Sequence, residues 1–203
     1  MKMFAALLVV LSMFACNNAQ PTATQTSKPT VAPSPEAPPV VHKPTISELL
    51  EQADTVQEAL AICSPMMGDK FGNISDGSIC LVVWMQTHNV NIFNVSVKKD
   101  ETTPGLVFKN SEEQLGKRMC AVGSIIEIHR AMNGVEIGEI SGYSGTIYHF
   151  LTVGGSGPLV EKSTGKLCGY VTGTYSYPNS GGGTTHTVDI AGAWDLKYVP
   201  QEY

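Results

Sequence analysis

The clearest strand pattern in this chain is Met119-Cys120-Ala121-Val122-Gly123-Ser124-Ile125-Ile126-Glu127-Ile128-His129. Apolar and polar residues alternate along much of it, which is typical of a β-strand with one buried face. Asn133-Gly134 follows, and this pair is a strong signal for a tight turn between two strands. Residues 135–140 continue the apolar pattern, so the sequence predicts a β-hairpin here.

Three more stretches of this kind follow the hairpin, at residues 145–153, 166–175 and 186–194. They are rich in β-branched residues and glycine, and turn-forming residues separate them. Five short strands in succession fit a small closed barrel. We therefore expect a mainly β fold built on a small five-stranded barrel.

Residues 115–195 resemble an OB-fold domain. Their start, Gly116-Lys117 followed by an apolar strand, Gly123 and a further apolar residue, is similar to the tRNA-anticodon-binding-like OB domains of bacterial lipoproteins. Residues 165–173 look like the fourth strand of such a barrel. The resemblance implies an OB-like binding or structural module, and it implies no particular activity because OB folds carry many functions.

The residues before the barrel predict one or two α-helices within residues 45–90. Thr45 and Glu48 have the spacing of a capping box at the start of a helix over residues 45–62. Residues 79–85 are apolar throughout and fit a buried helix or a buried strand, of which we favour the helix. Residues 92–97 alternate and predict a strand. We expect one globular domain over residues 45–203, with the β-structure in residues 91–203.

The N-terminus predicts export. Residues 1–15 are a short basic start and an apolar run that is too short to span a bilayer, as in a signal peptide. Ala15-Cys16 at its end resembles a lipobox, which implies that Cys16 carries lipid; an ordinary secreted protein is the alternative. Asn17 after the cysteine favours the outer membrane. Residues 16–44 are rich in Pro and Thr and predict a tether.

Charge and composition bear on the partners. The domain from Thr45 to Tyr203 holds 10 Lys and Arg against 17 Asp and Glu, a net charge of −7. Such a domain is poorly suited to neutralising phosphates, so we expect no nucleic-acid partner. We expect contact with the membrane through the lipid anchor alone, an unknown envelope protein or small ligand as partner, and neither cofactor nor metal.

The four cysteines of the domain form an even set, which outside the cytoplasm indicates two disulfides. In the OB fold that the chain resembles, the first and fourth strands are neighbours. The resemblance therefore implies that Cys120 pairs with Cys168, which leaves Cys63 and Cys80 for a local bridge in the helical segment. Reduced, buried thiols are the alternative.

Two patterns raise the question of chemistry. Gly154-Gly155-Ser156-Gly157-Pro158 resembles the nucleophile loop of trypsin-like proteases, so an envelope serine hydrolase that uses Ser156 is the alternative function. His129, His149 and His186 lie on three different predicted strands and are candidate ligands of a metal ion. Each also fits a solvent-facing position on its strand. We favour a non-enzymatic module and expect no catalytic residue.

The resemblance also implies a place for the ligand, since OB folds bind across strands two and three and the loops beside them. Polar and aromatic side chains on those strands and loops form the candidate rim: Arg130, Asn133, Tyr148, His149, Tyr177, Asn179 and His186. Arg130 is expected to hold an anionic or carbonyl group. A glycine-rich loop that merely joins two strands is the alternative.

The anchor yields a first prediction. Cells that express the wild-type chain and are fed a clickable fatty-acid analogue should label it, and the variant Cys16→Ser should stay unlabelled because it lacks the acceptor thiol. The measurement is in-gel fluorescence after coupling of the dye. Equal labelling of both chains would contradict a lipid on Cys16.

Overall fold

The structure is a computed structural model that describes residues 43–95 and 100–200. The predicted signal peptide, Cys16 and all but the last two residues of the predicted tether lie outside the described residues. The α-helices are α1 Ile46–Glu51, α2 Val56–Cys63, α3 Asp76–Thr87, α4 Ile92–Val95 and α5 Pro104–Lys109. Short 3-10 helices lie at Ser64–Met66, Glu112–Gln114 and Met132–Gly134. The strands are β1 Lys70–Phe71, β2 Arg118–Arg130, β3 Glu136–Gly142, β4 Ile147–Val153, β5 Thr164–Pro178 and β6 Thr184–Trp194.

Five strands close into a barrel in the order β2-β3-β4-β6-β5, and β5 pairs again with β2. The neighbours are antiparallel except β4 and β6, which run parallel. The short β1 lies outside the barrel and pairs with β5. This architecture confirms the mainly β, five-stranded OB-like barrel with helices before it.

Apolar residues form two separate cores. One fills the barrel interior, with Phe150, Ile140 and Trp194 buried among the inward-facing side chains of all five strands. The other lies outside the barrel, where α3 packs on β4 and β6 around Leu81 and Met85 and α2 packs on α3. Alternation along each strand supplies both cores, because successive side chains point to opposite faces.

The helix expected over residues 45–62 is two helices. Thr45 and Glu48 form the expected capping box, but Thr55 and Glu58 form a second one that starts α2. The carbonyl of Ala53, between the helices, accepts a hydrogen bond from the Trp84 indole at 3.0 Å. A capped second start and a tertiary acceptor therefore end α1 early. The expected helix over residues 79–85 is confirmed as part of α3.

The strand expected at residues 92–97 is wrong where the structure describes it, because residues 92–95 form the short α4. The Asn91 side chain accepts from the Phe93 amide, and the Asn94 side chain accepts from the Asn91 amide. Such local bonds compete with strand pairing. The barrel consequently starts at Arg118 rather than at residue 91, and α5 lies in the segment between.

Both expected disulfides are present. Cys63 at the end of α2 is bonded to Cys80 in α3, with their Cα atoms 5.7 Å apart. Cys120 in β2 is bonded to Cys168, which lies directly opposite it in β5. The first bridge joins the two main helices, and the second bridges the strand pair that closes the barrel. Within the described part of the chain, no helix has the length and apolar character needed to cross a membrane.

The bridges yield a stability prediction from the loops that they close, 48 residues of separation for Cys120–Cys168 and 17 for Cys63–Cys80. Loop-closure entropy predicts a loss of about 4 kcal/mol for the double variant Cys120→Ala/Cys168→Ala and about 3 kcal/mol for Cys63→Ala/Cys80→Ala. Urea unfolding monitored by circular dichroism measures both. An unchanged unfolding midpoint in either variant would argue against that bridge.

Candidate functional site

A row of ionisable side chains crosses the outer face of the barrel. Glu127 of β2 lies opposite Glu139 of β3, Glu139 lies opposite His149 of β4, and His149 lies opposite Asp189 of β6. The last three are at most 6% exposed. Like charges directly opposite each other destabilise a sheet, so the Glu127–Glu139 pair costs folding free energy.

A β-bulge in β2 shapes one end of this row. The pairing with β3 shifts between Ile125 and Glu127, so that Ile126 is an extra residue without a partner in β3. A bulge re-aims the side chains next to it. As a result, Ile126 and Glu127, although adjacent in sequence, both line the same cavity.

The His149 ring is held by a buried chain of hydrogen bonds. Its Nδ1 lies 2.8 Å from Asp189 Oδ1, and Ser78 of α3 lies 2.9 Å from Asp189 Oδ2. Ser78 also contacts Thr172 Oγ1 at 2.8 Å, at a second bulge in β5. The ionised Asp189 carboxylate can only accept a hydrogen bond, so Nδ1 is the donor, and in the neutral ring Nε2 carries the lone pair.

Two tyrosines form a wall beside the row. The Tyr175 ring stacks on the His149 ring with centroids 4.4 Å apart, and Tyr177 lies 5.6 Å from Tyr175. The Tyr177 hydroxyl donates to Glu139 Oε2 at 2.8 Å. Burial raises the pKa of Glu139, although the Tyr177 hydrogen bond and the nearby His149 oppose this. Burial first, and then the bond to Glu139, raises the pKa of Tyr177 to about 12.

These groups open on a cavity of about 810 Å³ on the outside of the barrel. Its polar lining comes from Glu127, Glu139, His149, Tyr175 and Tyr177, with Asn73 at the edge. A second cavity of about 480 Å³ lies beside it and is mainly apolar. The two share three lining residues: Ile74, Ile79 and Ile137. Together they form a groove with one polar and one apolar end.

The structure brings only two of the seven rim residues, His149 and Tyr177, into the polar cavity. Tyr148 points into the barrel interior, as alternation requires. Arg130 projects into solvent with Nη2 3.9 Å from Glu136, and Asn133 lines the apolar cavity.

Of the other two rim residues, Asn179 lies in the loop between β5 and β6 and His186 lies in β6. The Asn179 carboxamide accepts from the amides of Gly181 and Gly183, so it shapes the turn itself. His186 pairs with Ser176 and lines a different cavity.

The hydrolase alternative receives no support from the geometry around Ser156. Its hydroxyl donates to Glu136 at 3.0 Å, and no histidine contacts it within the described residues. His129 lies beside Glu127 at 3.4 Å, so the three strand histidines have three different partners. No group of three metal-ligating side chains occurs among residues 43–95 and 100–200.

The sequence did not indicate Glu127, Glu139 and Tyr175, which line the groove, or Asp189, which is hydrogen-bonded to His149. Each carries a signal in the sequence, since each is a polar or aromatic residue within a strand of otherwise apolar and small residues. Their convergence depends on strand register and on two bulges, which no local pattern encodes.

The Tyr177–Glu139 pair yields a titration prediction. In Glu139→Gln the pKa of Tyr177 should fall from about 12 but stay above its usual value near 10, because the carboxylate is lost and the burial remains. NMR of 13Cζ-labelled tyrosine, with Tyr177→Phe to assign the signal, measures it. Since the folded protein holds this proton more tightly, the associated stability is present below pH 10 and is lost as the pH rises through 12. An unchanged Tyr177 pKa in Glu139→Gln would contradict the coupling.

The chain was compared with protein-family models, curated proteins and solved structures. No protein-family model matches the chain, and no curated protein matches its sequence. A solved structure that does match is the mitochondrial single-stranded DNA-binding protein Rim1 of S. cerevisiae, with 11% identity and a TM-score of 0.28. The match covers 38% of this chain and 87% of that chain.

The exclusion of nucleic acid as a partner was wrong, because a net negative charge does not exclude it. The matched Rim1 structure is that of a single-stranded DNA-binding protein. The net charge of a whole domain is a poor basis for excluding nucleic acid as a partner. Single-stranded nucleic acid also binds by stacking its bases on aromatic side chains, and Tyr175 and Tyr177 offer such rings beside the groove.

Proposed function

We propose that this protein is a binding module of the bacterial cell envelope that takes its ligand in the groove on the outer face of β3 and β4. The observation that carries the proposal is the row of buried ionisable groups that opens on a cavity beside two tyrosines. A pocket with a few convergent polar groups on an otherwise apolar wall is the usual form of a small-molecule site.

The energetics of the row favour a binding role over a purely structural one. Glu127 and Glu139 lie opposite each other, and burial disfavours the charged form of Glu139. A protein gains nothing in stability from this arrangement, because an apolar pair at the same position would pack without repulsion. Local costs of this kind are expected at functional sites.

The N-terminal sequence supports a location in the cell envelope. A signal peptide over residues 1–15 and a lipid on Cys16 would hold the chain at a membrane, and the favoured one is the outer membrane because Asn17 follows the cysteine. The Pro- and Thr-rich tether over residues 16–44 would then act as a spacer between the lipid and the domain. Disulfides in the domain agree with an oxidising compartment.

A fragment screen tests the groove without a known ligand. The full-length chain with Cys16→Ser, which lacks the acceptor for the lipid, is titrated with a diverse library of small fragments and followed by chemical shifts of backbone amides. We expect the bound fragments to shift Glu139, His149 and Tyr177 most strongly, because the groove offers the concave polar and apolar surface that fragments need.

Matched variants and a second probe complete this test. Tyr177→Ala should weaken groove fragments several-fold, whereas Tyr143→Ala, at a 73% exposed turn position, should not. A fluorescent single-stranded oligothymidylate is titrated in parallel; saturable binding that Tyr177→Ala weakens would identify nucleic acid as the occupant of the same groove. Fragments that cluster on another face, or none that bind, would refute the groove as the binding site.

A further inference from the structure

The polar end of the groove presents hydrogen-bond acceptors in excess of donors. His149 Nε2 has no partner among the described residues, and His149 is only 5% exposed. Glu139 receives the Tyr177 hydroxyl on Oε2, while its Oε1 has no donor within the described part of the chain. Glu127 adds a second carboxylate from across the strand pair. Glu139 and His149 line the cavity, so a ligand that donates hydrogen bonds can satisfy these acceptors in place of water.

The charge of the groove also favours a ligand that donates hydrogen bonds, and in particular a cation. Neither cavity has a lysine or an arginine among its described lining residues. Glu127 and Glu139 therefore face the polar cavity without a lysine or an arginine in its lining, and the side chains of Tyr175 and Tyr177 lie beside them. Carboxylates and aromatic faces both attract a cation, and a desolvated site strengthens both interactions.

The mainly apolar lining of the adjoining cavity favours a ligand with an apolar part. Ile79, Val82 and Val83 project from one side of α3, and Val135, Ile137 and Leu151 face them from the barrel. Ile79 and Val83 are each nearly half exposed. The apolar surface continues directly into the polar cavity through the three shared isoleucines: Ile74, Ile79 and Ile137. A ligand that fills the groove thus needs a charged head and an apolar tail on the same molecule.

We propose that the groove binds a small amphiphilic primary amine, whose ammonium group donates to Glu139 and His149 and whose apolar tail lies against Ile79 and Val83. This inference rests on the proposed function and names the chemical class of its ligand. A primary ammonium has three N–H donors, which matches the unused acceptors. A quaternary ammonium has none, and a carboxylate or phosphate would meet two like charges.

The test is calorimetric titration of the full-length Cys16→Ser chain at pH 7 with four probes that share an unbranched six-carbon chain: hexylamine, hexanol, hexanoate and hexyltrimethylammonium. Hexylamine should bind at least about tenfold more tightly than the other three, because hydrogen bonds to charged groups are the strong ones. Among butylamine, pentylamine and hexylamine, affinity should rise about fourfold for each methylene buried. A hexylamine affinity no greater than that of hexanol or hexanoate would overturn the proposal, as would an affinity independent of chain length.

Variants locate the ammonium. Glu139→Gln should weaken hexylamine at least about tenfold and leave hexanol unchanged, and Glu127→Gln, at an exposed position that tolerates change, should weaken hexylamine several-fold. Glu161→Gln is the control, since its side chain is 63% exposed and lines neither cavity. Equal effects of Glu127→Gln, Glu139→Gln and Glu161→Gln would refute the site. If fragments bind the groove without preference for amines, this inference fails and the proposed function stands; if none binds there, both fail.

Discussion

The pairing of β2 with β5 is the constraint on which the rest of this structure depends, because it closes the sheet. A closed barrel has no free strand edges, and each strand must then send alternate side chains to the interior and to the outside. Cys120 and Cys168 lie opposite each other in this pair and are bonded. The covalent link therefore opposes slippage of the register that separates the inner core from the outer one.

Once the barrel is closed, its outer face is divided between packing and binding. Helix α3 covers the outside of β4 and β6, where Leu151 and Ala193 contribute to the second core, and α2 packs on α3. The part of the outer face around Glu139 is left beside the edge of α3 and becomes the groove. The bond from Ser78 to Asp189 joins the two regions, so the helix that builds the outer core also orients the His149 ring.

Charge in this molecule has to be considered by location and not as a total. The described lining of the groove carries carboxylates and no lysine or arginine, whereas Arg130 lies outside it beside Glu136. Short-range hydrogen bonds and desolvation act within a few ångströms, and a net charge describes only the far field. For this reason the acidic balance of the domain bears on steering toward the protein more than on what the groove accepts.

The five barrel strands, their order along the chain and the start of α1 follow from the sequence alone, since alternation, turn residues and a capping box act over a few neighbouring residues. The sequence also determined that Tyr148 and His149 point to opposite faces. The break between α1 and α2 and the failure of the strand at residues 92–95 came from local side-chain bonds that periodicity does not record. Only the tertiary structure placed Glu127, Glu139, His149 and Asp189 in one row, because they come from four strands whose alignment is set by register, bulges and barrel closure, and these are properties of pairs of distant segments.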